Sequence, residues 1–141
     1  MTIDHARELA RLYFDEVFNR GNLAVVDQVV APAFTLFVPP SLGEGPQLEG
    51  LDGFRQLAIG TRAAFSGLHF DVHDVTANDD TVMVSWTMTG THDGEWQGIP
   101  ATGRRVSLVG VDVFKVADGL IVEERIHGDF LGLLRQLGAI A

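Results

Sequence analysis

Apolar residues recur along this chain at two periods, and the change from one to the other divides it in half. From residue 4 to 19, Ala6, Leu9, Ala10, Tyr13 and Val17 fall at helical spacing, with Arg7, Asp15 and Glu16 off that face. This predicts an amphipathic helix. Asn19-Arg20-Gly21 ends it, and Asn22 is placed to cap a second short helix over 23–30 that Pro32 closes. Residues 34–38, Phe-Thr-Leu-Phe-Val, read as a short strand running into Pro39-Pro40, which cannot continue a central ladder. Residues 39–50 hold Pro39, Pro40, Pro46 and three glycines and read as a rim loop able to gate access. A third helix begins near Asp52, with Phe54, Leu57, Ala58, Thr61, Ala64 and Phe65 in helical register.

Beyond it the period becomes two. Residues 68–75 are a strand, and Asn78-Asp79-Asp80 is a turn. Residues 81–91 form a strand with one apolar side (Val82, Val84, Trp86, Met88) and one hydroxylic side (Ser85, Thr87, Thr89, Thr91). A glycine-punctuated connection over 90–103 leads to the longest strand, 104–116. Asp118-Gly119 is a hairpin turn, because Gly accepts the positive φ that a tight turn needs. The last strand runs from Leu120 to about His127, and 129–137 is a short helix. Three helices, an early strand and then a run of antiparallel strands make an α+β pattern. Such a sheet, strongly curved and antiparallel with the helices across its concave face, would make a cone with an interior cavity. No repeat or linker divides the chain, so residues 1–141 read as one domain.

Composition narrows the function. Hydrophobic residues are 46% of the chain, with nine Phe, two Trp and one Tyr, which suits a lined pocket as well as a packed core. A net charge of −9 argues against nucleic acid, whose binding needs a basic footprint. The absence of cysteine removes disulfides, a thiolate nucleophile and Cys-based zinc sites. The first residues, Met-Thr-Ile-Asp-His-Ala-Arg-Glu, are charged and lack the apolar region of a secretion signal. No run approaches eighteen apolar residues. These features predict a soluble, cytoplasmic protein with neither membrane nor nucleic-acid partners. His69 and His73 flank Asp71, but positions four apart on a strand are roughly 13 Å apart at about 3.3 Å per residue. One metal ion cannot bridge them, so no metal site is expected.

The residues able to do chemistry gather near the C-terminal end. Asp129 precedes Phe130-Leu131-Gly132-Leu133-Leu134 and is the leading candidate, as an acid/base or as the N-cap of the final helix. An aspartate carboxyl in water titrates at a pKa of about 3.9, and burial beside Phe130 would raise it toward the range useful for proton abstraction. Glu123, Arg125 and His127 share Asp129's parity. His127 and Arg125 either assist Asp129 or belong to a solvated face. Asp112 shares the parity of apolar Leu108 and Phe114. It is either a second carboxylate in a cavity or the partner of Arg104, Arg105 or Arg125. His92 lies next to a turn, holding the loop or touching a ligand. Tyr13, Phe18, Phe37, Phe54, Trp86, Met88, Trp96 and Phe114 are the candidate lining for a hydrophobic small molecule.

Five stretches together resemble the SnoaL-like polyketide cyclase family of the nuclear-transport-factor-2-like superfamily. They are Tyr13…Phe18-Asn19-Arg20-Gly21-Asn22, Gly50-Leu51-Asp52-Gly53-Phe54, the run from Gly90-Thr91-His92-Asp93-Gly94 through Trp96, Gly98 and Pro100 to Thr102-Gly103-Arg104, Phe114 to Glu123, and Asp129 to Gly138. The resemblance spans about residues 5–138. It implies a cone-shaped α+β barrel, usually a dimer through the outer sheet face. It also implies a cofactor-free intramolecular aldol closure of an aromatic polyketide ester, with an Asp at the position of Asp129 as acid/base. This chain departs from the pattern at Thr35-Leu36-Phe37, where members often carry His, at Ser66-Gly67 in place of Pro-Asp, and at Arg125 in place of Trp. Relatives that hydroxylate or open epoxides make such hydrolase, hydroxylase or isomerase chemistry, with Asp112 beside Asp129, an alternative expectation. A non-catalytic dimeric module holding an apolar ligand is another.

Overall fold

The structure, a computed structural model, describes residues 1–38 and 46–141. Thr2 caps helix α1 (Ile3–Ala10), its hydroxyl accepting from the His5 amide. The helix continues into a wider, π-helical stretch, Arg11–Asn19, whose end is marked by an i→i+5 bond from the Arg20 amide to the Asp15 carbonyl. Asn22 caps the next helix as expected, but this is a 3-10 helix, Leu23–Gln28, shorter than the spacing predicted. Strand β1 (Val30–Phe37) therefore starts early and contains Pro32. The proline is tolerated because regular pairing of β1 with its neighbour lapses between Val30 and Thr35. Strand β2 (Pro46–Glu49) lies within the expected rim loop and pairs with β1; the rest of that loop, 39–45, is outside the described residues. Helix α2 (Gly50–Ala64) then leads to strands β3 (Phe65–Ala77), β4 (Thr81–His92), β5 (Arg104–Ala117) and β6 (Leu120–Gly128), and to helix α3 (Phe130–Gln136).

The described strands form one curved, open sheet in the order β2-β1-β6-β5-β4-β3. Every pairing is antiparallel except β1 with β6, which run parallel. The alternation read from residues 81–91 is realised: Val82, Val84, Trp86 and Met88 are buried, and Ser85, Thr87 and Thr89 look outward. At the β5–β6 hairpin, Asp118 and Gly119 have φ of 53° and 79°, the paired positive values of the tight turn that matches strand twist. The hairpin then contains a bulge. Lys115 pairs with Glu123 but Val116 pairs with Ile121, leaving Val122 unopposed. A one-residue offset exchanges the two faces of a strand, so the bulge decides which β6 side chains look inward.

Phenylalanines fill the space between helices and sheet. Phe14, Phe34, Phe54, Phe65 and Phe114 are almost wholly buried, with Tyr13 centred 4.6 Å from Phe14 and 4.9 Å from Phe114. Where β5 outruns β6, the Gln136 amide substitutes for a strand neighbour. Its Nε2 donates to the Ser107 carbonyl and its Oε1 accepts from the Ser107 amide, both at 2.8 Å. Among the described residues, no helix is long and apolar enough to cross a membrane, and no group of three or more His, Asp or Glu could hold a metal ion.

Gly110 on β5 lies opposite Trp86 on β4. A Cβ at this position would fall 2.5 Å from Trp86 Cη2 and 3.0 Å from the His127 carbonyl oxygen. The glycine thus leaves the floor on which the indole lies. Gly110→Ala is expected to lower unfolding free energy by about 1–3 kcal/mol, the usual cost of overpacking. Urea denaturation with tryptophan fluorescence measures it; unchanged stability would mean that the ring has room to move.

Candidate active site

A cavity of about 270 Å³ opens between the helices and the concave face of the sheet, just under the roughly 300–1,000 Å³ common for ligand clefts. Its rim includes the half-buried Val38, Leu48, Leu57 and Trp96 and the exposed Gln97. Its walls are apolar and aromatic: Phe18 from the π-helical stretch, Phe65 and Phe70 from β3, Met88 from β4, and Phe130 and Leu133 from α3. Trp96 stacks on Phe130 with ring centroids 6.3 Å apart, and Phe70 meets Trp86 edge-on at 5.0 Å. At the buried end are three polar groups, Tyr13, Trp86 and Asp112.

Asp112 is 2% exposed on β5, and Glu124 of β6 is fully buried beside it. Glu124 pairs with Phe114 and Asp112 with Ile126, so the two acids are diagonal neighbours on the inner face. The Tyr13 hydroxyl donates to Glu124 Oε2 at 2.6 Å. Burial is the main cause pushing the Asp112 carboxyl well above the usual carboxylate range, reinforced by the charge of Glu124. Burial pushes Glu124 up to about 7, against opposing hydrogen bonds from Asp112 and Tyr13. Tyr13 is raised too, chiefly by burial and then by the two acids. The Trp86 indole lies beside Asp112 and offsets part of its rise, yet Nε1 has no partner of good hydrogen-bonding geometry. It is a buried donor facing a cavity.

The expectation of a buried base at Asp129 is corrected. Asp129 is exposed and caps α3, its carboxylate accepting from the Gly132 amide at 3.0 Å. Arg125 and His127 are on the outer face of β6, again exposed. Arg125 pairs with Glu123 at 2.8 Å and lies 4.3 Å over the Phe37 ring, so Phe37 also belongs to that face. The reason is the bulge at Val122: a regular hairpin would have set Glu123, Arg125 and His127 opposite Phe114, Asp112 and Gly110. Phe54 and Phe114 are core residues behind the lining, and His92 is buried with Nδ1 2.9 Å from the Thr102 hydroxyl. Tyr13, Phe18, Trp86, Met88, Trp96 and Asp112 do line the cavity. Asp112 faces a carboxyl and not any of the three arginines considered for it. Glu124 was missed, although two adjacent acids in a strand must point to opposite faces.

Raised carboxyl pKa values make stability depend on pH. Between the unfolded value, 4.5 for Glu124, and its folded value of about 7, the native state holds more protons than the unfolded one. This contribution is full below the unfolded pKa and is lost as pH rises through the folded one. Wild-type melting temperature should therefore fall from about pH 5 to about pH 8 more steeply than that of the Asp112→Asn/Glu124→Gln variant. Parallel curves by differential scanning calorimetry would show that neither acid is shifted.

Comparison with known proteins gives this architecture a family. Aklanonic acid methyl ester cyclase DnrD of Streptomyces peucetius is 34% identical over 124 residues, covering 87% of this chain and 84% of that protein. Nogalonic acid methyl ester cyclase of Streptomyces nogalater is 33% identical over 122 residues, covering 86% and 89%. The structure of TsrD from Streptomyces laurentii superposes with a TM-score of 0.87 at 27% identity over 99% of both chains. Residues 8–137 match the sequence profile of the SnoaL-like polyketide cyclases, and the chain belongs to that family.

Proposed function

We propose that this protein closes a ring in the methyl ester of an aromatic polyketide acid by intramolecular aldol addition, with Asp112 as the acid/base. The observation that carries this reading is the buried Asp112 carboxyl, which lines the end of an aromatic cavity that Glu124 does not border. The substrate class follows from the two related enzymes named for methyl esters of polyketide acids.

A carbon between a ketone and an ester carbonyl is acidic enough for a carboxylate of raised pKa to deprotonate. Asp112 takes that proton, the enolate carbon attacks a second carbonyl of the same molecule, and Asp112 returns the proton to the new alkoxide. The product is an isomer of the substrate. Trp86 Nε1–H, unpartnered beside Asp112, is placed to donate to an oxygen where negative charge builds. The flat aromatic walls favour fused rings. Water-activating chemistry with two acids on the substrate is less well supported, because Asp112 lines the cavity and Glu124 does not. The reaction so described needs no cofactor, and we place it in the cytoplasm.

Purified protein incubated with aklanonic acid methyl ester or nogalonic acid methyl ester is expected to give a product of unchanged mass and new retention time. Asp112→Asn should slow this by about 10²- to 10⁴-fold, the usual worth of general acid–base help. Asp129→Asn should keep turnover, since Asn caps a helix about as well as Asp. Full activity in Asp112→Asn, or loss confined to Asp129→Asn, would overturn the assignment.

We also place self-association on the outer sheet face, where Met83 and Val109 are exposed. Light scattering should then give twice the 15.3 kDa chain mass; a monomer at micromolar concentration would reject it.

A further inference from the structure

We infer that Glu124, held by Tyr13, is the proton store for Asp112: the two carboxyls keep one proton between them, and its passage to Glu124 turns Asp112 from acid into base. This rests on the cyclase reading above and adds to it a positioning residue that does not touch the substrate.

The geometry supports a shared proton. Glu124 is fully buried behind the cavity wall, reached through Asp112 and not directly from the cavity. Its Oε2 is taken by the Tyr13 hydroxyl at 2.6 Å. Glu124 Oε1 and Asp112 Oδ1 are both buried and neither has a hydrogen-bond partner, so a proton is what each can take up. No cation offsets them among the described residues: Lys115 pairs with Asp80, and Arg125 with Glu123. The polar groups facing the pair are Tyr13 from the π-helical stretch and Trp86 from β4; Phe114 and Ile126, their cross-strand partners, are apolar. Two acids in such a place cannot both be ionised, and one proton between them removes the repulsion. The interaction of the two carboxyls raises Asp112 and lowers Glu124, so the resting proton belongs to Asp112 and the charge to Glu124, where the Tyr13 O–H stabilises it.

The cycle balances without a co-reactant. The Asp112 proton moves to Glu124, leaving Asp112 a carboxylate facing the cavity. Asp112 then accepts the proton of the substrate C–H bond, and that electron pair becomes the new C–C bond. The attacked carbonyl becomes an alkoxide and takes the proton from Asp112. Glu124 hands its proton back, and the pair is restored.

The test combines carboxyl-carbon NMR titration with pH–rate profiles, using aklanonic acid methyl ester as probe, for wild type, Glu124→Gln and Tyr13→Phe. In Glu124→Gln, the Asp112 titration should drop by roughly one pH unit or more as its charged neighbour is removed. Turnover should fall about 10²-fold with KM little changed, and the profile should lose one ionisation. Tyr13→Phe removes only a hydroxyl; it should move the Glu124 titration upward from about 7 and carry one limb of the profile with it. These shifts separate a proton store from a residue that merely fills space. If Asp112 titrates identically without Glu124, or both variants keep the wild-type profile, the relay is wrong and the cyclase reading stands. If the titrations are coupled but wild type leaves the ester unchanged, the shared proton stands and the cyclase reading fails.

Discussion

Two carboxyl groups are buried against each other at the end of an apolar cavity, and much of the molecule answers to that. Taking one charged carboxylate out of water costs several kcal/mol even after relaxation, and two in contact would repel as well. The fold meets this with one cation-free arrangement: Tyr13 donates from the helical layer, and the Trp86 indole lies alongside. Each support has its own local requirement. Tyr13 reaches the sheet from a π-helical stretch, a form frequent at functional positions, and the indole lies flat because residue 110 has no side chain.

Periodicity carried most of the fold. Alternation over 81–91 and 104–116, the Asp118-Gly119 turn and the helical spacing around Phe54 all led to elements seen at nearly those positions. What local pattern could not show was pairing at a distance. The parallel contact of β1 with β6 and the small strand Pro46–Glu49 exist because of what lies beside them. Pro32 misled for the same reason: it reads as a stop signal, yet it occupies a lapse in the ladder where no amide is needed.

For the site, the apolar neighbours of Asp112 marked it correctly as an unusual acid, and six of the residues singled out do border the cavity. Between the two placements open for Arg125 and His127, register decides. A regular hairpin from a two-residue turn would aim them inward. One unopposed residue, Val122, reverses that, and no feature of Val122 itself announces it. The acids at 123 and 124 were the available clue, since one of them had to face the interior. Asp129 shows the converse lesson. An acid before a helix also answers to the backbone amide it caps, and that cap sets this one in solvent and not in the cavity.

The bulge also says something about how this protein could change over generations. Point substitutions alter one inward side chain at a time, but loss of the bulge with every residue kept, Val122 then lying opposite Lys115, would slide β6 by one residue and swap both its faces together. Glu123, Arg125 and His127 would then look into the cavity, and Glu124 would go to solvent. The same string of amino acids thus encodes two alternative pocket floors, an acidic one and a largely basic one, separated by one residue of register. In this fold a slip of register at the β5–β6 turn is a route to new chemistry, whereas deleting the bulged residue would keep Glu124 opposite Phe114 and the present floor.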